Sequence, residues 1–399
     1  MTVLAIEEIN NIEKFHSLRE TWNMLLRQSS DNNIFLTWEW LFTWWQHYGK
    51  DKKLRILIIK ESDKIIGIAP LMQSKYRVGF ISVDMIENLC SERCDYSGII
   101  LTERKQESVA ILLDYLEKII KDSNIIVRML NVPENSSFLT VLREQYPAFS
   151  RSMYLDEQLV DSCPYIDLPA SWEEYFHTLS KHMRENLRRR MRSMQKDHVI
   201  EFKKYENGDD LREQLQVLFE LHQKRWRLKN MKSKFAEPEA REFYFDVSQA
   251  FHKNKWLDLS FQNVDGKPVS AHWGFIYNNI FHYMTPAFDP DYSYYSVGNL
   301  HIMKLLEDSI KNRLRKFDFL TGAEIYKSYW TQCTKDNIQI TMAKMGFWGS
   351  CLVKLFQIII KVGNIRRLGL RQYYYKRKEA RYQQRGARMI KTSMSTTQK

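Results

Sequence analysis

One succession of apolar runs occurs twice along this chain, and that repetition limits the possible folds more than any single motif. The first occurrence starts at residues 54–59, turns at Asp63 and Lys64, and resumes at residues 65–71. The second starts at residues 257–261, turns at Asp265, Gly266 and Lys267, and resumes at residues 269–275. Each reads as strand, polar turn and strand. A third strand is expected at 96–101 in the first copy and at 280–285 in the second. Amphipathic helices follow. One lies near 108–120, with Leu112, Leu113, Leu116 and Ile119 on one face; the other lies near 300–312, with Leu300, Met303, Leu306 and Ile310. Buried strands at 125–130 and 316–320 then close the pattern. The order β-β-β-α-β-α, met twice, indicates an internal duplication.

Length and charge divide the chain in the same way. At 399 residues it is long for one core, and its 11 Trp, 21 Tyr and 21 Phe supply apolar mass for two. The expected units are residues 1–165, residues 166–345 and a tail, 346–399. Residues 351–399 hold 13 Lys/Arg against one acid, Glu379, so the net charge of +12 resides in the tail and the rest is balanced. Such a tail suits an anionic partner, either lipid head groups or nucleic acid. Trp348, Leu352, Leu355, Ile359 and Val362 share one face of an expected helix at 347–362 that is too short and too charged to span a bilayer. Residues 346–391 therefore fit an anchor on an anionic membrane surface, or a helix packed on the protein itself. Tyr373, Tyr374 and Tyr375 among arginines keep RNA open as a third partner.

The amino terminus lacks a signal-peptide pattern, and five cysteines without framework spacing suit a reducing, cytoplasmic setting. Cys90 and Cys94 have no second Cys/His pair nearby, so no metal site is expected. No Walker loop or Ser/His/Asp nucleophile arrangement is present.

The two copies differ where the helix is entered. In the second, Ser296, Val297, Gly298, Asn299 and Leu300 make a small, polar approach that lets backbone N–H groups converge on an anion. In the first, the same place reads Thr102-Glu103-Arg104-Lys105-Gln106, without glycine and with an acid at its mouth. Only the second copy is therefore expected to hold a phosphate-bearing ligand. Its closing strand runs into Gly322 and then into a helix start that crowds Glu324, Tyr326, Lys327 and Trp330 into two turns. Ligands of open α/β sheets sit outside the carboxyl ends of strands. The same residues also fit an ordinary turn in which Glu324 caps a helix.

These segments resemble the GNAT superfamily, in its tandem-domain, CelD-like branch, and more distantly the FemAB-type peptidyltransferases. The resemblance is carried by the aromatic run at 35–45, by 66–71, by Asp95-Tyr96-Ser97-Gly98, and by the arginine-rich stretch 179–192. Residues 221–226, 288–290, 296–300 and 317–330 complete it. It implies an α/β fold of two tandem GNAT-like domains, each with a mixed sheet, and an acyl-CoA held where two parallel strands splay apart. The pyrophosphate would then lie on the loop from Ser296 to Leu300, with acetyl-CoA as co-substrate.

Acyl transfer to an amine needs a base, donors for the oxyanion and an acid for the departing thiolate. Glu324 is the first candidate base and Asp318 the second. Strand alternation points Asp318 away from Phe317 and Phe319. Tyr326 is the candidate acid, Lys327 and Trp330 candidate acceptor contacts, and the strand near 283–286 a source of an oxyanion-binding amide. Arg184 and Arg188, in a helix with Arg189, Arg190 and Arg192, suit an acceptor's phosphate or carboxylate, a membrane surface, or merely a solvated face. The function expected is a cytoplasmic N-acyltransferase, peripheral on the inner face of the membrane where the tail serves as an anchor, acting on a small or lipid-linked amine such as an amino-sugar or cell-envelope precursor. The alternatives are an aminoacyl-tRNA-dependent peptidyltransferase and a non-catalytic adaptor of a polysaccharide-synthesis machine.

Overall fold

The computed structural model describes residues 3–346, apart from 79–80, 92, 124, 150–151, 207–209 and 323. The basic tail and its expected helix at 347–362 lie outside the described residues. The strands are β1 (Leu4–Ile9), β2 (Lys53–Glu61), β3 (Lys64–Val78), β4 (Ile81–Asn88), β5 (Ile100–Leu101), β6 (Ile126–Pro133) and β7 (Met153–Asp167). They continue with β8 (Ile200–Lys204), β9 (Leu257–Val264), β10 (Lys267–Tyr277), β11 (Ile280–Phe288), β12 (Lys316–Asp318) and β13 (Thr334–Lys344). The helices are α1 (Ile12–Ser17), α2 (Arg19–Gln28), α3 (Trp38–Tyr48), α4 (Lys105–Asp122), α5 (Ser137–Phe149) and α6 (Trp172–Thr178). After them come α7 (Lys181–Asp197), α8 (Leu211–Arg227), α9 (Pro238–Lys253), α10 (Val297–Lys311) and the single turn α11 (Ile325–Ser328).

Local chemistry sets the element ends. Asp265 and Gly266 both take positive φ (50° and 78°), as a tight two-residue turn between twisted strands requires, and so close the β9–β10 hairpin. Thr37 starts α3 by accepting from the Trp40 amide, and Ser180 starts α7 by accepting from Met183.

The duplication is present, with one element moved. In the first half the third long strand is β4, at 81–88, and not 96–101 as the sequence suggested. Of that expected strand only Ile100 and Leu101 pair, with Ile68 and Gly67. β4 and β6 run parallel over Met85–Glu87 and Ile126–Arg128, as β11 and β12 do over Ile280–His282 and Lys316–Asp318. Each half thus has an antiparallel meander followed by one parallel pair.

The halves exchange strands. The sheet runs β1-β2-β3-β4-β6-β13-β7-β12-β11-β10-β9-β8. β13 comes from the end of the second half yet inserts between β6 and β7. β7 pairs with β13 along most of its length and with β12 through Tyr165, Ile166 and Asp167. It therefore runs straight across the expected boundary at 165/166.

Three cores follow. One lies under α4 and α5, one under α6, α7 and α10, and one joins α2 and α3 to α8 and α9 across both halves. Trp40 is fully buried at the centre of the shared core, in ring contact with Phe35, Phe243, Phe251, Trp273 and Phe275. The aromatic run of the first half is thus the seam of the molecule. Truncating such a side chain costs about 3–5 kcal/mol. Among the described residues no helix is long and apolar enough to cross a membrane.

Candidate functional site

The site forms where β11 and β12 part. After the last parallel pair, His282 with Asp318, β11 continues to Phe288 while the other chain turns away through Leu320 (φ 60°) and Gly322 (φ 112°). The gap is entered from the other half. Tyr96 donates its hydroxyl to both oxygens of Asp318, at 2.9 and 3.0 Å. Lys335 reaches the same carboxylate at 2.8 Å, and the Leu320 amide donates to it at 2.8 Å. Burial opposes ionisation of Asp318, but the Lys335 ammonium and these hydrogen bonds outweigh it and hold its carboxyl below the usual range. Asp318 does point away from Phe317 and Phe319, which pack in the core under α10. Its carboxylate is fully buried and saturated with donors, so as a base it is replaced by what lies further out.

One step out lies Asp95. Thr321 donates its hydroxyl to Asp95 Oδ1 at 2.8 Å, and Asn337 fixes the Asp95 carbonyl at 2.7 Å. Oδ2 has no hydrogen-bond partner among the described residues. Burial pushes the Asp95 carboxyl up to about 6, against the Thr321 hydrogen bond and the charges of Lys327 and Lys234, with Asp318 adding to the rise. On the far side of the gap Lys234 donates to Thr285 of β11 at 2.9 Å and to the Tyr244 hydroxyl. The sequence singled out Asp95 only as part of a family-like segment. Its partner lies 226 positions away, so no local signal reveals its place.

Glu324 and Lys327 occupy the rim. Glu324 stands at the N-cap position of α11 but makes no capping hydrogen bond, which removes the helix-cap reading. Its carboxylate folds back over Gly322, where a Cβ would come within 2.4 Å of Oε2, and lies 3.0 Å from the Lys327 ammonium. Lys327 is 4 % exposed and donates to the Thr321 carbonyl at 2.7 Å, so its ammonium is turned inward rather than toward an acceptor. Trp330 is likewise core: it is 2 % exposed, and its carbonyl accepts from Tyr175 at 2.8 Å. Tyr326 is half-buried against the core under α10. Asp161 of β7 faces the same rim, its carboxyl raised by burial and by Glu324, against hydrogen bonds from Ser162 and Gly322 and the charge of Lys327.

The entry to α10 completes the site. Ser296 holds the left-handed conformation (φ 56°) and gives α10 no side-chain cap. Its carbonyl takes the Asn299 and Leu300 amides, at 2.8 and 3.1 Å. The Val297 and Gly298 amides have no partner among the described residues. A Cβ on Gly298 would meet the Phe288 ring at an ordinary 3.4 Å. Two guanidinium groups flank this end. Arg225 stacks over Phe288 at 4.4 Å, and Arg190 over Tyr294 at 4.8 Å with its Nε buried and unbonded. Arg190 belongs to the arginine-rich helix α7, but the two residues nominated there lie elsewhere. Arg184 donates to the His177 carbonyl (2.9 Å) and to that of Leu179, and Arg188 stacks over Phe176 at 4.9 Å.

The first half has the same parallel pair without the opening. Glu87 and Arg128 form a buried ion pair (Nε to Oε1, 2.9 Å), and Tyr76 and Ser74 donate to Glu87 at 2.8 and 3.0 Å. At the entry to α4, Arg104 is paired with Glu61 at 2.7 Å and Glu107 at 3.3 Å. Two cavities lie elsewhere again, against α8 and α9. One of about 540 Å³ is lined by Arg212, Gln216 and Phe245. Strand divergence, and not cavity size, locates the site. Among the described residues no group of His, Cys, Asp and Glu could hold a metal ion.

Residues 181–328, from the first residue of α7 to the last of α11, match the family model described as an acetyltransferase (GNAT) domain. No curated protein matches the chain. Among solved structures, FemX is similar at a TM-score of 0.61 with 9 % identity, over 89 % of this chain and 99 % of that one. A conserved protein of unknown function from Bacteroides thetaiotaomicron gives 0.50 with 14 % identity, over 86 % and 100 %. The carboxy-terminal domain of a putative lysylphosphatidylglycerol synthetase from Agrobacterium fabrum gives 0.50 with 10 %, over 83 % and 92 %. At these identities the likeness is one of fold.

Proposed function

We propose, from the premise that this chain is a GNAT-superfamily protein with a FemX-like fold of two tandem halves, that it transfers an acyl group from acyl-CoA to an amine. The observation that carries the reading is the entry to α10. Two amides without a partner among the described residues, at Val297 and Gly298, stand at the positive end of a helix, with Arg225 stacked on Phe288, the ring next to Gly298, and Arg190 stacked on Tyr294 just before the helix. That arrangement suits a pyrophosphate, which the backbone and two guanidinium groups would bind without a lysine or a metal. The acyl thioester would supply the electrophile. The chain's own residues would hold its phosphates, direct the acyl end into the gap beside Asp318, and take up the proton that the amine must lose.

The first half does not offer the same reception, since Glu61 and Glu107 bracket the corresponding helix start and Glu87 with Arg128 fills the divergence. We assign the acyl-CoA to the second half alone. The acceptor class suggested is an amino-sugar or cell-envelope precursor. A second donor, aminoacyl-tRNA, is what the FemAB-type resemblance of the sequence implies, and the fold is similar to that of FemX over 89 % of this chain and 99 % of that one.

Calorimetric titration with acetyl-CoA tests the reading. Micromolar binding to the wild-type chain, lost in Gly298→Glu with the far-UV spectrum unchanged, is expected. No binding by the wild type would overturn the acyl-CoA assignment, and titration with aminoacyl-tRNA would then decide the second donor.

A further inference from the structure

We infer that Asp95, a residue of the amino-terminal half, is the base that takes the proton from the acceptor amine, so that the active site is shared between the halves and the matched domain at 181–328 is incomplete by itself. The inference rests on the acyl-transfer reading above.

Three observations place Asp95 in that role. The first is position. The segment carrying Asp95 and Tyr96 enters the gap between β11 and β12. Tyr96 bonds Asp318 at the point of divergence, and Asp95 bonds Thr321 just beyond it. Across the gap, Lys234 on Thr285 marks the β11 side. The second is how the carboxylate is held. Thr321 fixes Oδ1, Asn337 fixes the backbone, and Oδ2 accepts no hydrogen bond from any described residue. A base needs one anchored oxygen and one free one within reach of the proton. The third is that its competitors are engaged. Asp318 is saturated by Tyr96, Lys335 and the Leu320 amide, and Glu324 carries the buried Lys327 ammonium 3.0 Å from its Oε2, an ion pair without a hydrogen bond.

The charged groups facing Asp95 are Lys327 from α11, Lys234 from the turn before α9, and Asp318 from β12. Burial among them brings the carboxyl up to about 6, which leaves it ionised at neutral pH yet basic enough to accept a proton. The step balances as follows. Asp95 carboxylate takes one proton from the acceptor ammonium. The freed lone pair forms the C–N bond at the thioester carbonyl, the C–S bond breaks, and its electron pair leaves on sulfur. The second nitrogen proton neutralises the thiolate, and Asp95 returns its own proton to solvent.

The test is thiol release from acetyl-CoA over pH 5–9, with glucosamine as the probe amine and with water as the reference acceptor, alongside calorimetric acetyl-CoA affinity. Asp95→Asn should lower kcat about 100-fold or more while affinity is kept. The wild-type rise in kcat with an ionisation near pH 6 should vanish in that variant. Thr321→Val, which removes a donor favouring the carboxylate, should move the rise to higher pH and keep a measurable kcat. Retention of the wild-type kcat and pH profile by Asp95→Asn would overturn the inference, as would their loss in Glu324→Gln alone. A wild-type chain that binds acetyl-CoA but releases no thiol to either acceptor would also overturn it. A wild-type chain that does not bind acetyl-CoA at all would instead remove the acyl-transfer reading beneath it.

Discussion

The Tyr96 hydroxyl lies 2.9 Å from Asp318 Oδ1, across 222 positions of sequence, and joins the first half to the point where β11 and β12 diverge. With Lys335 at 2.8 Å from Oδ2, it makes Asp318 a buried anion whose charge is fully answered. Tyr96→Phe should cost about 2 kcal/mol of unfolding free energy, the usual value for a hydrogen bond to a charged group. Lys335→Met should cost about 3 kcal/mol or more, because it leaves the anion buried without its cation. The carboxyl is held below its unfolded value, so this stability is present above about pH 4 and lost as pH falls through the lower folded value. Urea unfolding at pH 7 and pH 3 checks both, and the two variants should converge toward wild type only at the lower pH.

The Glu87–Arg128 pair makes the opposite kind of statement about the first half. Arg128→Met should destabilise by about 3–5 kcal/mol, since Glu87 is fully buried. The double variant Glu87→Met, Arg128→Met should recover most of that loss. Thermal unfolding would show it. If the pair only fills space, acetyl-CoA affinity should be the same in wild type and double variant.

Four buried histidines predict acid lability. Burial lowers His222 to about 2, His301 to about 3, His282 to about 4, and His272 well below its ordinary value. Each is neutral in the fold and charged once unfolded below about 6.5. Their stability contribution is complete above that pH and is lost as pH falls toward the folded values. Unfolding at pH 5 should take up about three to four protons, measured as the buffer-dependent part of the calorimetric enthalpy. Uptake below about one would contradict the burial of these rings.

Asp95 runs the other way. Its folded carboxyl sits near 6 while the unfolded one sits near 3.8, so the fold favours the protonated form. Stability associated with it is complete below about pH 4 and is lost as pH rises through 6. Asp95→Asn, which mimics the protonated state, should therefore raise the melting temperature at pH 8 and match wild type at pH 4. A variant that is more stable and less active is the usual mark of a residue held for chemistry.

Much of this was readable from the chain alone, and the gaps have physical causes. The hairpins, the amphipathic helices and the two closing strands announced themselves through local periodicity, whereas a parallel pair was expected only from the family resemblance. β4 did not. Its Ser82, Asp84 and Glu87 dilute the apolar signal, whereas the Ile99-Ile100-Leu101 run reads strongly although only two of its residues pair. That run is apolar because it is buried between elements and not because it extends a ladder. β13 was equally silent, since Thr334-Lys335-Asp336-Asn337 is polar and its partners in β6 lie some 200 positions away. At the site, Gly298 and the α10 entry were legible because helix starts obey local rules. Lys327 and Trp330 looked like ligand residues because a sequence shows polarity and aromaticity but not the direction of a side chain. Asp95 was quoted only within a family-like segment and given no role, because its place depends on Thr321 and Lys234, both brought to it by the fold.

The exchange of β7 and β13 bears on how the molecule comes into being. As the chain leaves the ribosome, β6 acquires its antiparallel neighbour only when residues 334–344 have been made. The first half must wait for the end of the second, with an unpaired strand edge exposed meanwhile. Whatever duplication produced the two halves, their later separation is barred. A gene split near residue 165 would sever β7, and each product would lack a strand that only the other carries. Inheritance as a single reading frame is thereby built into the sheet.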